Sequence, residues 1–254
     1  MKIRTLALTI AFCLPMIFAA NAQNGAALYV NAGYGFNAAP GNLESYDGNS
    51  HTVKPYSLGS GLNLDLGGSI MFGDHIGIGA DLTFQTSPMA SYTYLTGIGN
   101  HIVANSSFQG QMFAITPMLI VAGHTGSINL YGKFGLVFAN TSVTYSETQT
   151  GNGAASGTYI DVYGGNATLG AYAAFGLQLG VSENVKLNLE IFDRTMAYSP
   201  ATLTNTQPYD GDQKANTITY VDSRDNNSAS DTQLKTYFPY SSIGLKLGIV
   251  FVLR

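Results

Sequence analysis

Charge is scarce in this 254-residue chain: Asp, Glu, Lys and Arg together make up 10% of it, against about 25% in an ordinary soluble domain. Tryptophan is absent, and the single cysteine, Cys13, lies near the amino terminus. An intramolecular disulfide is therefore excluded, and no cysteine cluster can hold a metal. Basic residues are too few as well. Eleven Lys and Arg against fifteen Asp and Glu leave a net charge of −4, the wrong sign for a nucleic-acid partner. Long apolar runs are also missing, since past residue 22 no stretch reaches the roughly 18 continuous apolar residues that mark a membrane helix. The chain has too little charge for a typical soluble domain and too many interruptions to cross a membrane as helices.

What is present begins with Lys2 and Arg4, an apolar run from Leu6 to Phe18, and then Ala20, Asn21 and Ala22. This is the pattern of a secretory signal peptide over residues 1–22, cut after Ala22. The run is about 13 residues and contains Pro15, whereas a spanning helix needs about 20. Residues 23–254 then form the mature domain. Losing Lys2 and Arg4 but no acid leaves it 9 basic and 15 acidic residues and no cysteine.

The mature chain is rich in Gly (30), Tyr (16) and Phe (13), and its apolar residues recur with a period of two. In the last strand, Ile243, Leu245, Leu247, Ile249, Phe251 and Leu253 alternate with Ser242, Gly244, Lys246, Gly248, Val250 and Val252. Such alternation sends the two sets to opposite faces of a strand. Seven earlier segments alternate in the same way: 27–36, 58–72, 76–86, 108–121, 128–138, 167–181 and 185–194. Little sequence remains to cover eight apolar faces. The pattern predicts an all-β fold, an eight-stranded antiparallel up-and-down transmembrane β-barrel with its apolar face toward lipid. Gly73–His75, Gly123–Gly126 and Ser182–Asn184 are its short periplasmic turns, and four long loops are extracellular. The fifth strand continues to Glu147 and the sixth starts early, at TYIDVY, so their hairpin outreaches the apolar band of about 25 Å. Pro117 predicts a bulge or irregular pairing in the fourth strand. The TITYV segment of the fourth loop suggests a further short strand, and a ten-stranded barrel results if that loop inserts a hairpin. Tyr29, Tyr34, Phe36, Phe72, Phe84, Phe238, Tyr240 and Phe251 lie toward strand ends, where aromatic girdles form.

The inward faces carry the candidate chemistry. Counted from the periplasmic turns, Asp65, Asp81, Lys133, Glu190 and Lys246 fall within about 12 to 18 Å of the same rim. Arg194 belongs to the same lumen charge cluster and sits higher with Tyr172, toward the mouth. An eight-stranded barrel is narrow enough for its side chains to fill, and buried charges must pair, which makes this set a plug. Exchange of partners between the lysines and carboxylates would make it a gate for ions instead. Shared protonation of Glu190 and Asp81 is a third reading. The histidines do not cluster, and only loose pairs such as His51 with Asp47 or Ser50, and His101 with Ser106, offer a hydrolase arrangement. No catalytic residue is assigned. Asp210, Asp212, Asp222, Asp225 and Asp231 lack the spacing of a calcium loop, so neither a metal site nor a cofactor is expected.

The end of the chain resembles the assembly signal of outer-membrane barrels, a polar residue followed by Gly and then large apolar residues, here Lys246, Gly248, Phe251 and Leu253. It departs from that pattern by ending on Arg254. The mature chain is similar to the small outer-membrane barrel family that includes outer-membrane proteins A, X and W and the porin-like barrels of Bacteroidetes. The stretch ITPMLIVAGHTGSINLYGKFGLVFA resembles that last group. The resemblance implies location in the outer membrane of a Gram-negative cell, contact with lipid, delivery by the barrel-assembly machinery, and a monomer. It leaves open a porin-like or structural surface protein with a plugged or narrowly conducting lumen, an adhesion or binding protein using its loops, and a lateral channel for small apolar molecules.

Overall fold

The structure, a computed structural model, describes residues 25–47, 50–96, 102–125, 128–150, 157–207, 217–222 and 232–253. The signal peptide expected over 1–22 lies outside the described residues. The chain enters the barrel with β1 (Ala26–Asn37), leaves it for a loop hairpin of β2 (Gly41–Asp47) and β3 (Ser50–Tyr56), and returns in β4 (Gly61–Phe72) and β5 (Ile76–Thr86). A short β6 (Ala90–Thr96) precedes the two longest strands, β7 (Ile102–Thr125) and β8 (Ile128–Thr150). Next come β9 (Gly157–Gly164), β10 (Ala167–Gly180) and β11 (Val185–Thr195). The last loop holds β12 (Ala197–Tyr198), β13 (Thr202–Gln207), β14 (Thr217–Val221), β15 (Thr232–Leu234) and β16 (Phe238–Pro239), and β17 (Ser242–Leu253) closes the chain.

Eight of these strands form a ring in the order β1-β4-β5-β7-β8-β10-β11-β17, and β17 pairs back onto β1 from Ala26↔Leu253 to Asn37↔Ser242. Closure is compulsory in lipid, where an unpaired strand edge would leave backbone N–H and C=O groups with no water to bond. The outward face keeps the alternation of the sequence. Leu62, Leu64 and Leu66 on β4, Phe134 and Leu136 on β8, and Leu245 and Leu247 on β17 are all exposed. Ile70 is an exception, buried despite its outward parity. A belt of bare Leu, Ile and Phe around a closed ring is the surface of a barrel that stands in a membrane.

At Pro117 the pairing is irregular, as expected, but without a bulge. The β5–β7 register runs through Ala80↔Pro117 without a shift, and the β7–β8 pairing lapses only between Ile115↔Phe138 and Met118↔Gly135, resuming in the same register. Pro117 lacks one N–H donor, and the ring absorbs the loss as a short gap. Met112, Met118 and Ile120 do face inward on this strand.

Two loops hold more structure than their polarity suggested. The first is the β2–β3 hairpin. The second contains β6, which pairs with β7 from Ala90↔Phe108 to Thr96↔Ile102, so β7 begins at Ile102 rather than near residue 108. β4 likewise begins at Gly61, not at Leu58. Gly61 has φ +108°, a backbone conformation that glycine adopts without strain, and the chain turns there into the barrel wall. On the extracellular side, the upper halves of β7 and β8 continue as a sheet of order β6-β7-β8-β9-β13-β14-β15. The fourth loop's TITYV segment is β14 of this sheet. Its hairpin with β13 pairs onto β9, outside the ring, and leaves the barrel at eight strands. The 23 residues of β8 span about 75 Å at about 3.3 Å per residue, well beyond the membrane.

The folded chain is expected to migrate ahead of the boiled chain on a mild-detergent gel. A mature chain that stays monodisperse in water without detergent would rule out the membrane belt.

Candidate functional site

Strand parity delivers the charged residues to the lumen, and the register brings them to one level. Asp65 stands on β4, Asp81 on β5, Lys133 on β8, Glu190 on β11 and Lys246 on β17, all buried. Glu190 and Lys246 are direct neighbours, paired in the β11–β17 register. Lys246 Nζ lies 2.6 Å from Asp65 Oδ2 and 3.7 Å from Glu190 Oε1. Lys133 Nζ lies 2.8 Å from Glu190 Oε2 and 4.0 Å from Asp81 Oδ2. Glu190 therefore bridges the two ammonium groups, and the five charges form one network.

Neutral donors complete it. The Tyr172 hydroxyl donates to Glu190 Oε1 at 2.6 Å and accepts from Lys246 Nζ at 3.0 Å. The Tyr131 hydroxyl is 2.9 Å from Glu190 Oε2 and 2.6 Å from Asn188 Oδ1. Thr83 donates to Asp65 Oδ1 at 2.7 Å. Aromatic faces add to the hold on the cations: Lys133 Nζ lies 4.4 Å from the centre of the Tyr29 ring, and Lys246 Nζ 4.3 Å from that of Phe192. Charge expelled from water is stable only when paired and hydrogen-bonded in this way.

Residues without side chains make room for those that reach across. A Cβ on Gly33 would meet Lys246 Cγ at 2.6 Å, so the lysine can cross β1 toward Asp65 only because residue 33 is glycine. A Cβ on Gly176 would meet the Tyr131 ring, and one on Gly67 would meet Asp81 and the Tyr29 ring. The lumen at this level is filled by large side chains packed against bare backbone.

Two assignments change. Arg194 stands apart from the carboxylates: its Nη2 donates to Asn63 Oδ1 at 2.8 Å and to Ser242 Oγ at 3.3 Å. Tyr172, expected beside it near the mouth, reaches down into the network instead. The aromatic girdle also loses members. Tyr34, Phe36, Phe72, Phe84 and Phe251 are exposed on the outer face, but Tyr29 turns into the lumen and Phe238 and Tyr240 are buried at the extracellular mouth. Tyr29 occupies an inward position by the alternation of β1, a parity the sequence displays. Phe238 and Tyr240 precede β17 and are placed by contacts no local pattern encodes.

Above the charged level an apolar cluster closes the mouth, with Leu58, Met112, Val143, Tyr198, Phe238 and Tyr240 at its centre. The loop segments that supply it are tied down. Ser57 Oγ donates to Ser241 O at 2.6 Å, Gln85 Nε2 donates to Leu58 O at 2.9 Å and Ser60 O at 2.8 Å, and the Tyr240 hydroxyl donates to Ser142 O at 2.9 Å. Below the charged level, a cavity of about 240 Å³ bordered by Tyr29, Tyr131, Lys133, Asn188, Lys186 and Val252 lies on the periplasmic side. Phe251 and Leu253 of the terminal motif face outward and Lys246 inward.

Elsewhere, His51 lies 3.6 Å from Glu44 on the exposed first hairpin, and His101 lies outside the described residues. Asp222 pairs with Lys235 at 2.6 Å, while Asp210, Asp212, Asp225 and Asp231 lie outside the described residues. Among the described residues, no three His, Cys, Asp or Glu side chains gather as a metal site.

No protein-family model matches the chain, and neither does any curated protein sequence. Solved structures of similar shape include a major outer membrane protein of Thermus thermophilus, 15% identical with a TM-score of 0.49 over 89% of this chain and 98% of that one. OprG of Pseudomonas aeruginosa is 11% identical, with a TM-score of 0.45 over 91% and 96% of the two chains. Neisserial surface protein A is 10% identical, with a TM-score of 0.40 over 89% and 96%. At these values the likeness transfers no residue role and no activity.

Lys246→Met should leave Asp65 buried without its ammonium and cost about 3–5 kcal/mol, measured by guanidinium unfolding in micelles. Adding Asp65→Leu should recover most of the loss, because an apolar pair has no charge to strand. Unchanged stability in the single variant would show that the ion pair does not hold the lumen.

Proposed function

We propose that this protein is a closed outer-membrane barrel that anchors an extracellular β-sheet for surface binding, with a lumen that does not conduct. The observation that carries this reading is the double seal. The Asp65, Asp81, Lys133, Glu190 and Lys246 network spans the barrel at one level, and the cluster around Leu58 and Tyr240 covers the mouth above it. An ion would have to separate buried pairs and then displace packed rings, each costing several kcal/mol. A gate needs charged partners that exchange at low cost, and here both ammonium groups also lie against aromatic faces, with Lys246 bonded to the Tyr172 phenol as well.

The lateral-channel reading needs an opening in the wall, and the ring of pairings supports it poorly, since its lapse at Thr116 and Pro117 resumes in register. The binding reading has a positive feature in its favour. The sheet β6-β7-β8-β9-β13-β14-β15 stands outside the membrane, and its exposure to the exterior suits an interaction surface better than a pore does. Its β6 edge is not free to add strands, because Ser45 Oγ on β2 donates to Thr93 O at 2.9 Å. Recognition would then use the sheet's face. No catalytic step enters this reading. In biogenesis, Gly248, Phe251 and Leu253, with Lys246, would be the strand that the assembly machinery reads.

Purified protein in a planar bilayer is expected to be silent, and so are its Lys133→Ala and Glu190→Ala variants. Discrete current steps whose size changes in either variant would overturn the closed lumen in favour of an ion gate.

A further inference from the structure

The inner face of the extracellular sheet carries a lattice of tyrosines around two buried carboxylates. Cross-strand register sets it out in rows. Phe108, Tyr145, Asp161 and Asn205 lie side by side across β7, β8, β9 and β13, and the next row holds Tyr92, Ser106, Glu147 and Tyr159 across β6, β7, β8 and β9. The rings form a continuous surface: Tyr92 and Phe108 stack at 6.2 Å, Phe108 and Tyr145 lie 4.9 Å apart, and Tyr145 meets Tyr159 edge-on at 6.4 Å. All four are only half-buried. Phe108 packs against Phe238 at 5.8 Å at the edge of the mouth cluster, and the Tyr92, Tyr145 and Tyr159 rings keep part of their surface open.

The carboxylates set into this surface are solvated by neutral donors. Glu147 accepts from the Tyr94 hydroxyl at 2.7 Å, from Gln149 Nε2 at 2.8 Å and from the Tyr145 hydroxyl. Asp161 is 4% exposed and accepts from Asn205 Nδ2 at 3.2 Å. Asn205 is itself 7% exposed, and its Oδ1, beside that carboxylate, is a buried acceptor without a donor. Buried acceptors are satisfied in almost all proteins, so one left over needs an explanation. A second acceptor next to a carboxylate, under aromatic faces, calls for a group that brings N–H donors and positive charge together. Ammonium satisfies all three, since it donates to the amide oxygen, neutralises the carboxylate and lies against the rings.

We propose that the Asp161–Asn205 pair, with the Tyr145 and Tyr159 rings, is an extracellular binding site for an organic amine carrying N–H donors. The inference rests on reading this sheet as a binding face, and it names the class of ligand. A quaternary ammonium would engage the rings but could give nothing to Asn205 Oδ1, and a neutral sugar could not neutralise Asp161. The groups around Asp161 support the same chemistry. Burial raises its carboxyl above the ordinary Asp range, Glu147 raises it further, and the Tyr159 phenol and Asn205 amide lower it. Tyr145, Tyr163 and Tyr220 are the other titratable groups nearby, each a phenol that stays neutral well into the alkaline range. Acidification therefore removes the charge that an amine needs at a milder pH than for a solvated Asp, and amine binding is lost as pH falls.

Isothermal titration of the full protein in detergent micelles tests this with spermidine as the probe. Saturable binding is expected near neutral pH, weakening at mildly acidic pH, and reduced at least about tenfold by Asp161→Asn. Asp193→Asn, an exposed carboxylate on the outer wall, should leave it unchanged, and heat-modifiable migration checks that each variant is folded. Tetramethylammonium should bind more weakly than spermidine, and maltose should give no heat; both comparisons need only the unaltered protein. No saturable heat with spermidine, equal affinity in Asp161→Asn, or tighter binding of tetramethylammonium or maltose would each overturn the site. Conductance in the bilayer would count against the closed lumen without touching this result, so the two readings fail separately.

Discussion

The contact between Lys246 and Asp65 is the constraint on which the rest of the barrel depends. Lys246 belongs to the last strand and Asp65 to the second wall strand, so their 2.6 Å ion pair reaches over β1 at the seam where the chain closes on itself. Neither charge is tolerable alone at this depth. The pair is therefore compatible only with the register that sets Gly33 between Lys246 and Asn63, and a slip of one residue would turn Lys246 toward lipid. Closure, register and lumen chemistry are settled by the same side chain.

From that seam the network spreads through Glu190 to Lys133 and Asp81, and its geometry decides what the lumen can do. Small residues at 33, 67 and 176 allow long side chains to cross an interior that only a few could otherwise share. The phenols of Tyr131 and Tyr172 then occupy the hydrogen-bonding positions that water would take in a channel. On the proposed reading of a closed lumen, function lies on the outside. There the same strands, freed from lipid, lose their apolar outer face and gain tyrosines and carboxylates on the inner one, and β7 and β8 carry both environments in a single run.

Legibility in the sequence followed the local period. Wherever a strand was flanked by lipid on one side and lumen on the other, alternation named its inward residues, and Asp65, Asp81, Lys133, Glu190 and Lys246 could all be placed from it. β6 and the start of β7 were missed because Tyr92, Tyr94 and Ser106 lie above the membrane among other polar residues, where no lipid face is required and no apolar period shows. Phe192 was overlooked as a lumen residue because its size suggests a lipid face, although its parity is inward. The descent of Tyr172 into the network and the separation of Arg194 depended on which neighbour offered a partner across the barrel.

By itself, the sequence determined the eight alternating strands, the asymmetry of turns and loops, and the level of the charges, because each is written in spacings of one or two residues or in the length of a run. Tertiary structure alone decided which charges pair, that loop residues Leu58 and Tyr240 fold back to cover the mouth, and that Asp161 and Asn205 meet beneath a row of tyrosines. Those outcomes join residues from strands far apart in the chain, and their partners are chosen by register and available space, neither of which a local pattern records.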